Sequence, residues 1–312
     1  MNHDAPLRSL LFVPGYSERK QARALASPAD ALILDLEDSV DPAQLPVARQ
    51  RVAQLLRARG TGAAPQLWVR VNPPSAAPCR EDLQALFAPA SGALAGLVLP
   101  KVSSATELVE LAGELGALEA RSGAAPGATR LVVIATETPQ GLLGLPQYVA
   151  ILGAAPQALA RLAGLTWGAE DLGAALGALD KRDAAGELTF TFQLARSSCL
   201  LAAGALGVQA IDGVYTDFND AAGLHDELSS ARRDGFSGKL AIHPGQVSAI
   251  NEAFTPSEAE CEHARRVVAA FAAAPGAGVV SLDGRMIDRP HLVQARRVLA
   301  SAPPGRRAVT GG

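Results

Sequence analysis

Cysteine is scarce in this chain, and its three copies, Cys79, Cys199 and Cys261, lie far apart without the short spacings of a metal site. An odd, dispersed set excludes a disulfide framework and is the pattern of free thiols in a reducing compartment. Long hydrophobic runs are missing too: no apolar stretch reaches membrane-spanning length without an interrupting Gly, Pro or charge. Residues 1–8 are polar and contain a proline, with no apolar segment behind a basic start, so no secretory signal is expected. Nor does one sign of charge dominate. Lys and Arg number 28 against 31 Asp and Glu, for a formal net charge of −3, and the cations are scattered rather than blocked. That excludes the broad basic footprint of a nucleic-acid binder, while leaving phosphate-bearing small molecules open as partners. The expectation is a soluble, cytoplasmic protein with neither membrane nor nucleic acid as a partner.

What is present is apolar substance arranged in alternation. At 312 residues and 48% hydrophobic content the chain can bury a large core as one main domain. Short β-rich runs alternate with Ala/Leu/Arg/Glu segments of helical period, as parallel strands joined by crossover helices do. Strands are predicted at Ser9–Pro14, Ala31–Leu36, Leu67–Val71, Gly96–Pro100, Leu131–Thr136, Gly164–Trp167, Ile211–Tyr215 and Lys239–His243. Helices are predicted between them, at Glu18–Leu25, Leu45–Arg59, Thr106–Ala120, Asn219–Arg233 and Ser257–Ala273 among others. Eight such units predict a closed (β/α)8 TIM barrel. An open doubly wound sheet shares the alternation, but no G-x-G-x-x-G follows the first strand. The barrel is assigned to residues 1–274 and a C-terminal helical lid appendage to 275–302, with a strand at Val279–Leu282 and a helix at Arg289–Ala300. Residues 303–312 are expected to be a disordered tail. There is no internal repeat.

The ends of the strands are where charge arrives. A strand buried on both faces reads as a continuous apolar run, so a charge at its end marks a barrel enzyme's site more often than its core. The run Leu131-Val-Val-Ile-Ala-Thr-Glu-Thr138 delivers Glu137, and Trp167-Gly-Ala-Glu-Asp171 delivers Glu170 and Asp171. Glu137 and Asp171 are the candidate metal ligands: Mg2+ takes one or two carboxylates and fills its octahedron with water and substrate oxygens. For Glu170, structural hydrogen bonding and substrate contact both stay open. Arg70 sits inside the apolar run Leu67–Val71, where an unpaired guanidinium would be costly, so it must face acids or an anionic ligand. Glu37 and Asp38 are its expected partners, as support rather than as metal ligands, and Asp35, opposite in phase to Leu34 and Leu36, is expected to line the barrel. A Pro14-Gly15 turn leads into a helix near Ser17 carrying Arg19, Lys20 and Arg23, a candidate anion site or simply a solvated face. Asp288, just before Arg289-Pro290, reads on its own as a helix N-cap.

Seven blocks in order, Arg8-Ser-Leu-Leu-Phe-Val-Pro-Gly15, Leu34-Asp-Leu-Glu-Asp-Ser-Val40, Val69-Arg-Val-Asn72, Glu137-Thr-Pro-Gln-Gly141, Gly168-Ala-Glu-Asp-Leu172, Ala241-Ile-His-Pro-Gly-Gln246 and Gly284-Arg-Met-Ile-Asp288, resemble the citrate lyase β-subunit-like proteins. These belong to the HpcH/HpaI aldolase superfamily, beside malyl-CoA and citramalyl-CoA lyases. The resemblance runs from about Arg8 to Ala300. It implies a Mg2+-dependent carbon–carbon lyase acting on CoA or acyl-carrier thioesters to give a 2-oxo acid, usually as a homotrimer or hexamer. It also implies Glu137 and Asp171 as the metal ligands and Arg70 as a catalytic and substrate-binding cation. Asp288 becomes the acid/base, delivered by the neighbouring subunit's C-terminal lid. Phe12 and the basic residues Arg19, Lys20 and Arg23 are implied as CoA contacts, and His243 as a substrate-side residue that shapes the pocket. Competing readings are a citryl-carrier lyase β subunit working in a complex, a class II aldolase for free pyruvate, and a protein whose site has decayed. Residues of the right chemical type at each mapped position disfavour decay, and the Gly284–Asp288 block disfavours the free-pyruvate aldolase. Hydrolysis or condensation needs only a different fate for the same bound thioester and stays open.

Overall fold

The computed structural model describes residues 6–60, 62–87 and 93–303. Eight parallel strands close into a barrel in sequence order: β1 (Ser9–Pro14), β2 (Ala31–Asp35), β3 (Gln66–Arg70), β4 (Leu94–Leu99), β5 (Arg130–Ile134), β6 (Leu162–Thr166), β7 (Gln209–Asp212) and β8 (Gly238–Ala241). β8 returns to pair with β1, which excludes the open sheet. Each expected strand is present, shifted by at most a few residues at its ends. Helices surround the barrel, so the TIM-barrel expectation holds. Ser104 and Glu107 form a capping box at the start of the helix Ala105–Ser122, fixing an end that periodicity alone places loosely. No helix among the described residues is long and apolar enough to cross a membrane.

Period-two alternation decides what the barrel contains. The inward side chains Leu10, Ile33, Trp68, Val98, Val132, Ile211 and Leu240 form one core cluster. Trp68 fills so much of it that a Cβ on Gly96 would lie 2.4 Å from its ring. The same parity continues upward: two residues beyond Ile33 comes Asp35, and two beyond Trp68 comes Arg70. These two are ladder partners at the last rung of the β2–β3 pairing. The charged pair is therefore the next layer of the barrel interior.

At the opposite end, where β5 and β6 begin, lies a second buried ion pair. Arg161 donates to both oxygens of Glu119 at 2.6 and 2.7 Å, and the N–H groups of Thr129 and Gly127 complete the carboxylate at 2.9 and 2.8 Å. Burial alone would raise this carboxyl; the guanidinium and the two N–H groups hold it down to about 2.

The chain from Asn251 onward forms a second compact unit, separate from Leu7–Ile250. These two units meet at 250/251, whereas the barrel was expected to extend to 274. The reason is the helix Glu258–Ala272, whose buried face of Cys261, Ala264, Val267 and Phe271 shares a core with Ile287, Ala295 and Leu299. The Ala/Gly/Pro-rich stretch after it turns the chain within this unit. The expected strand β9 (Val279–Leu282) pairs with an unexpected one, β10 (Arg285–Asp288), through Asp283 and Gly284 at φ 53° and 74°. Asp-Gly with both residues at positive φ is a preferred two-residue hairpin turn. The helix Arg289–Ser301 follows. Apart from residue 303, the expected tail lies outside the described residues.

Because the Glu119 carboxyl titrates lower in the folded than in the unfolded chain, its stabilisation is complete above about pH 4.5 and lost as pH falls toward 2. Glu119→Gln should cost about 3–5 kcal/mol at neutral pH by leaving Arg161 buried without its counter-charge. That deficit relative to wild type should shrink as urea unfolding is repeated at decreasing pH through this window.

Candidate active site

The C-terminal ends of the barrel strands surround a cavity of about 640 Å³ whose wall includes Phe12, Asp35, Arg70, Glu137, Trp167 and His243. Arg70, only 9% exposed, forms a two-pronged pair with Asp35, Nε to Oδ1 at 2.6 Å and Nη2 to Oδ2 at 2.7 Å. Asp35 was expected to line the barrel and does, but it is also the main partner of Arg70, a place expected for Glu37 and Asp38. Ladder register is the cause: Asp35 and Arg70 are partners on one rung and share a face, whereas Glu37 and Asp38 follow the strand end. Glu37 Oε2 approaches Nη1 to 2.9 Å and Asp38 Oδ2 to 3.7 Å. The Phe12 ring covers the guanidinium, 4.8 Å from its centroid. Burial would raise the Asp35 carboxyl, yet Arg70 and the N–H groups of Glu37 and Ser39 hold it below the usual carboxylate range.

Glu137 is nearly buried, 4% exposed. Its Oε2 accepts the backbone N–H of Lys101 at 2.6 Å. Gly168, at the N-cap of the helix Ala169–Leu176, makes room for it, since a Cβ there would lie 2.6 Å from Glu137 Cγ. Burial pushes the Glu137 carboxyl up to about 8; the Lys101 N–H lowers it, and Asp171 raises it further. Asp171 stands in the first turn of that helix, 3.3 Å from Lys101 Nζ.

Lys101 itself was not anticipated. It follows β4 directly after Pro100, the same kind of strand-end position that pointed to Glu137. Its ammonium pairs with Glu37, lies 3.0 Å from each oxygen of Asp38, and reaches Asp171. Burial would lower its pKa, but Glu37 and Asp38 more than reverse that and keep it protonated. Burial likewise raises Glu37.

The remaining candidates sort by place. Glu170 lines the cavity and forms an ion pair with Lys181. His243 lines it too, accepting the Gly245 N–H at Nδ1 and stacking on Phe218 with centroids 5.2 Å apart. Its neutral form therefore carries the proton on Nε2. On the helix Glu18–Leu25, Lys20 and Arg23 line the cavity, whereas Arg19 is exposed and not among the lining residues. Asp288 lies in the C-terminal unit as the N-cap of Arg289–Ser301, its Oδ1 2.5 Å from His291 Nδ1. Trp167, read at first only as part of a strand end, is cavity wall. Its indole N–H donates to the buried Asp212 at 2.7 Å, and Asp212 in turn receives Lys239 at 2.9 Å.

A hard divalent ion fits Glu137 and Asp171. Among the described residues no three His, Cys, Asp or Glu side chains are disposed to hold an ion by themselves, and Glu137 is a buried carboxylate with no side-chain cation of its own among its hydrogen bonds. Two protein oxygens with the remaining positions left to water and substrate is the coordination Mg2+ tolerates.

Comparison with known proteins agrees with the barrel fold. The sequence matches the HpcH/HpaI aldolase/citrate lyase family over residues 8–244, and carbon–carbon bond lyases of the TIM-barrel fold over residues 191–303. It is 37% identical over 305 residues to a (3S)-malyl-CoA thioesterase of Cereibacter sphaeroides, covering 97% of both chains. It is also 37% identical over 297 residues to the citrate lyase subunit beta of Escherichia coli, covering 95% of this chain and 93% of that one. Among solved structures, the protein CitE of Mycobacterium tuberculosis in complex with magnesium, acetoacetate and coenzyme A superposes with a TM-score of 0.71 at 33% identity, covering 96% and 99% of the two chains. Fold and rim chemistry together define a TIM-barrel enzyme of the lyase type. The chain belongs to the HpcH/HpaI aldolase/citrate lyase family.

The Asp35–Arg70 pair can be probed without a substrate. Asp35→Asn keeps the side-chain shape but removes the counter-charge, and uncoupling a buried pair costs about 3–5 kcal/mol. Glu37 still faces Nη1, so a loss of about 3 kcal/mol in urea unfolding is expected. A loss below about 1 kcal/mol would show that Glu37 and Asp38 suffice to hold the guanidinium.

Proposed function

We propose that the protein is a Mg2+-dependent carbon–carbon lyase that splits a 3-hydroxyacyl-CoA thioester, such as malyl-CoA or citramalyl-CoA, into a 2-oxo acid and an acyl-CoA, or joins them in the reverse direction. The observation that carries this reading is the placement of Arg70 in the same cavity as Glu137 and Asp171. A forked cation beside a two-carboxylate ion site matches a substrate with a carboxylate at one end and a thioester oxygen at the other. A homo-oligomer, trimeric or hexameric, in the cytoplasm is part of the same reading.

Bound Mg2+ would supply Lewis-acid charge beside the oxygens of the 2-oxo acid. Arg70, locked by Asp35, presents donors of fixed direction that stabilise oxyanion charge as the thioester enolate forms. Phe12, over the guanidinium face, keeps water from that side. The bond that breaks joins the hydroxyl-bearing carbon to the carbon next to the thioester. The hydroxyl proton leaves, the electron pair of the broken bond becomes the enolate, and the enolate carbon takes up a proton. Asp288, delivered by the C-terminal segment of a neighbouring subunit, is assigned as the acid/base for proton transfer. Lys20 and Arg23, with Arg19 on the same helix, are assigned to the CoA phosphates, and His243 and Glu170 to the substrate side.

The similarity to (3S)-malyl-CoA thioesterases favours one second reading, hydrolysis of the thioester in the same cavity. One experiment separates the two. The pure protein with Mg2+ is incubated with malyl-CoA, 3-methylmalyl-CoA, citramalyl-CoA and citryl-CoA, and 2-oxo acid, acyl-CoA and free CoA are followed. A 2-oxo acid released one-for-one with acyl-CoA supports the lyase. Free CoA without 2-oxo acid replaces it by hydrolysis, and no product from any of the four overturns both. In the same assay Glu137→Gln and Asp171→Asn should each abolish turnover and weaken Mg2+ binding in calorimetry while the fold persists. Unchanged affinity in both would remove the metal assignment.

Asp288→Asn discriminates a proton carrier from a helix cap, because Asn caps about as well as Asp. A proton carrier predicts a turnover loss of about 10²–10⁴-fold at unchanged melting temperature. Near-wild-type turnover would leave Asp288 as a cap alone.

A further inference from the structure

The acids of the rim outnumber the two ligands a Mg2+ site needs. Glu37, Asp38, Glu137 and Asp171 all approach Lys101, Glu137 through its backbone N–H and the other three through its ammonium. Lys101 achieves both with φ at 52°, a left-handed conformation that side-chain-bearing residues seldom adopt. One residue therefore orients the first candidate ligand with its main chain and stands between the second and the acid pair with its side chain. Asp38 is half exposed, and its closest partner is Lys101; Arg70 Nη1 is farther, at 3.7 Å. Glu37 stays engaged by Arg70 even without Lys101.

We infer that Lys101 sets the metal specificity of the site: by occupying Asp38, it limits the ion to two protein carboxylates and so favours Mg2+ over Ca2+. The inference rests on the metal reading proposed above and extends it to a residue with no ligand role. The argument is one of coordination. Mg2+ is satisfied by few protein oxygens and retains its waters in a strict octahedron, whereas Ca2+ takes 6–8 oxygens at longer, more variable distances and gains from every added carboxylate. Asp38 and Asp171 already converge on a single cation, the ammonium. With that cation deleted, Asp38 is the carboxylate most readily released toward an ion held by Asp171.

Charge alone makes a different prediction. Loss of one positive charge tightens Mg2+ and Ca2+ alike and leaves their ratio unchanged; a new ligand changes the ratio. The test is calorimetric titration of the chelator-stripped full chain with Mg2+ and with Ca2+, in wild type, Lys101→Met and Lys101→Met/Asp38→Asn. The single variant should shift the ratio of the two dissociation constants toward Ca2+ by about tenfold or more, and the double variant should bring it back near the wild-type value. Thermal unfolding confirms that each variant is folded, and Lys101→Gln is read in the same way should the methionine variant not fold. A ratio that stays within about twofold of wild type in the single variant overturns the inference, as does a shift that survives in the double variant. If the wild type binds neither ion, the metal reading itself fails and the inference falls with it. Binding in the wild type with an unmoved ratio in the variants sinks only the role of Lys101.

Discussion

A guanidinium inside an apolar barrel is tolerable only if its charge is met where it stands, and the pairing of Arg70 with Asp35 is the constraint on which the rim of this molecule depends. The pair is the continuation of the barrel interior by one more layer, carried inward by the same alternation that places Ile33 and Trp68. Coulomb attraction in so poorly solvated a place offsets the desolvation of both ions only with near-ideal geometry, and the two short parallel hydrogen bonds provide it. Asp35 is thereby spent on Arg70. Within this cluster five carboxylates, Asp35, Glu37, Asp38, Glu137 and Asp171, meet two cations, Arg70 and Lys101, so the cluster is acid-rich. Glu137, with its carboxyl pushed up by burial, is the acid least provided for. An additional cation bound there would favour the ionised form of Glu137 over the protonated one.

The two ends of the barrel solve opposite problems with the same chemistry. At the strand starts Glu119 has both oxygens filled by Arg161 and two N–H groups, and such a closed set holds the fold while offering nothing to a ligand. At the strand ends Glu137 receives a single N–H. Incompletely paired charge at the C-terminal face and fully paired charge at the other agree with the division of labour in barrels of this kind.

The strands were legible because parallel strands buried on both faces are continuous apolar runs, and Glu137 and Asp171 were legible because charge interrupts those runs. Lys101 carries the same signal after Pro100, yet a lysine at a loop start is also ordinary surface, and only the convergence of three acids from other strands shows its place. The partner of Arg70 required the register between β2 and β3, which alternation within one strand does not contain. In the C-terminal unit, Asp283-Gly284 is a turn signal in plain view. It was masked because Val279–Leu282 was read alone, and because β10 coincides with the block ending at Asp288. The unit boundary is hard to read for a related reason: a Gly/Pro-rich stretch looks alike whether it separates two units or turns within one.

Membership of the family leaves the acyl group open, and one residue of the cavity wall, Trp167, is held by a buried network. Trp167 is held by its N–H on Asp212 and by close packing over Gly213, where a Cβ would come within 3.1 Å of the indole. Asp212 is itself fixed by the wholly buried Lys239 and by Arg196, so the ring cannot swing aside without giving up its hydrogen bond to a buried acceptor that cannot follow it. A wall anchored in that way discriminates by rigidity. Under the proposed reading, a substituent that reaches the indole either fits beside it or displaces it with loss of that hydrogen bond, a sharper distinction than one methylene makes in a yielding apolar pocket. Under the proposed lyase reading, the ion and the arginine would handle what all such thioesters share, and the buried charges that keep Trp167 in place would limit the acyl groups this wall accepts.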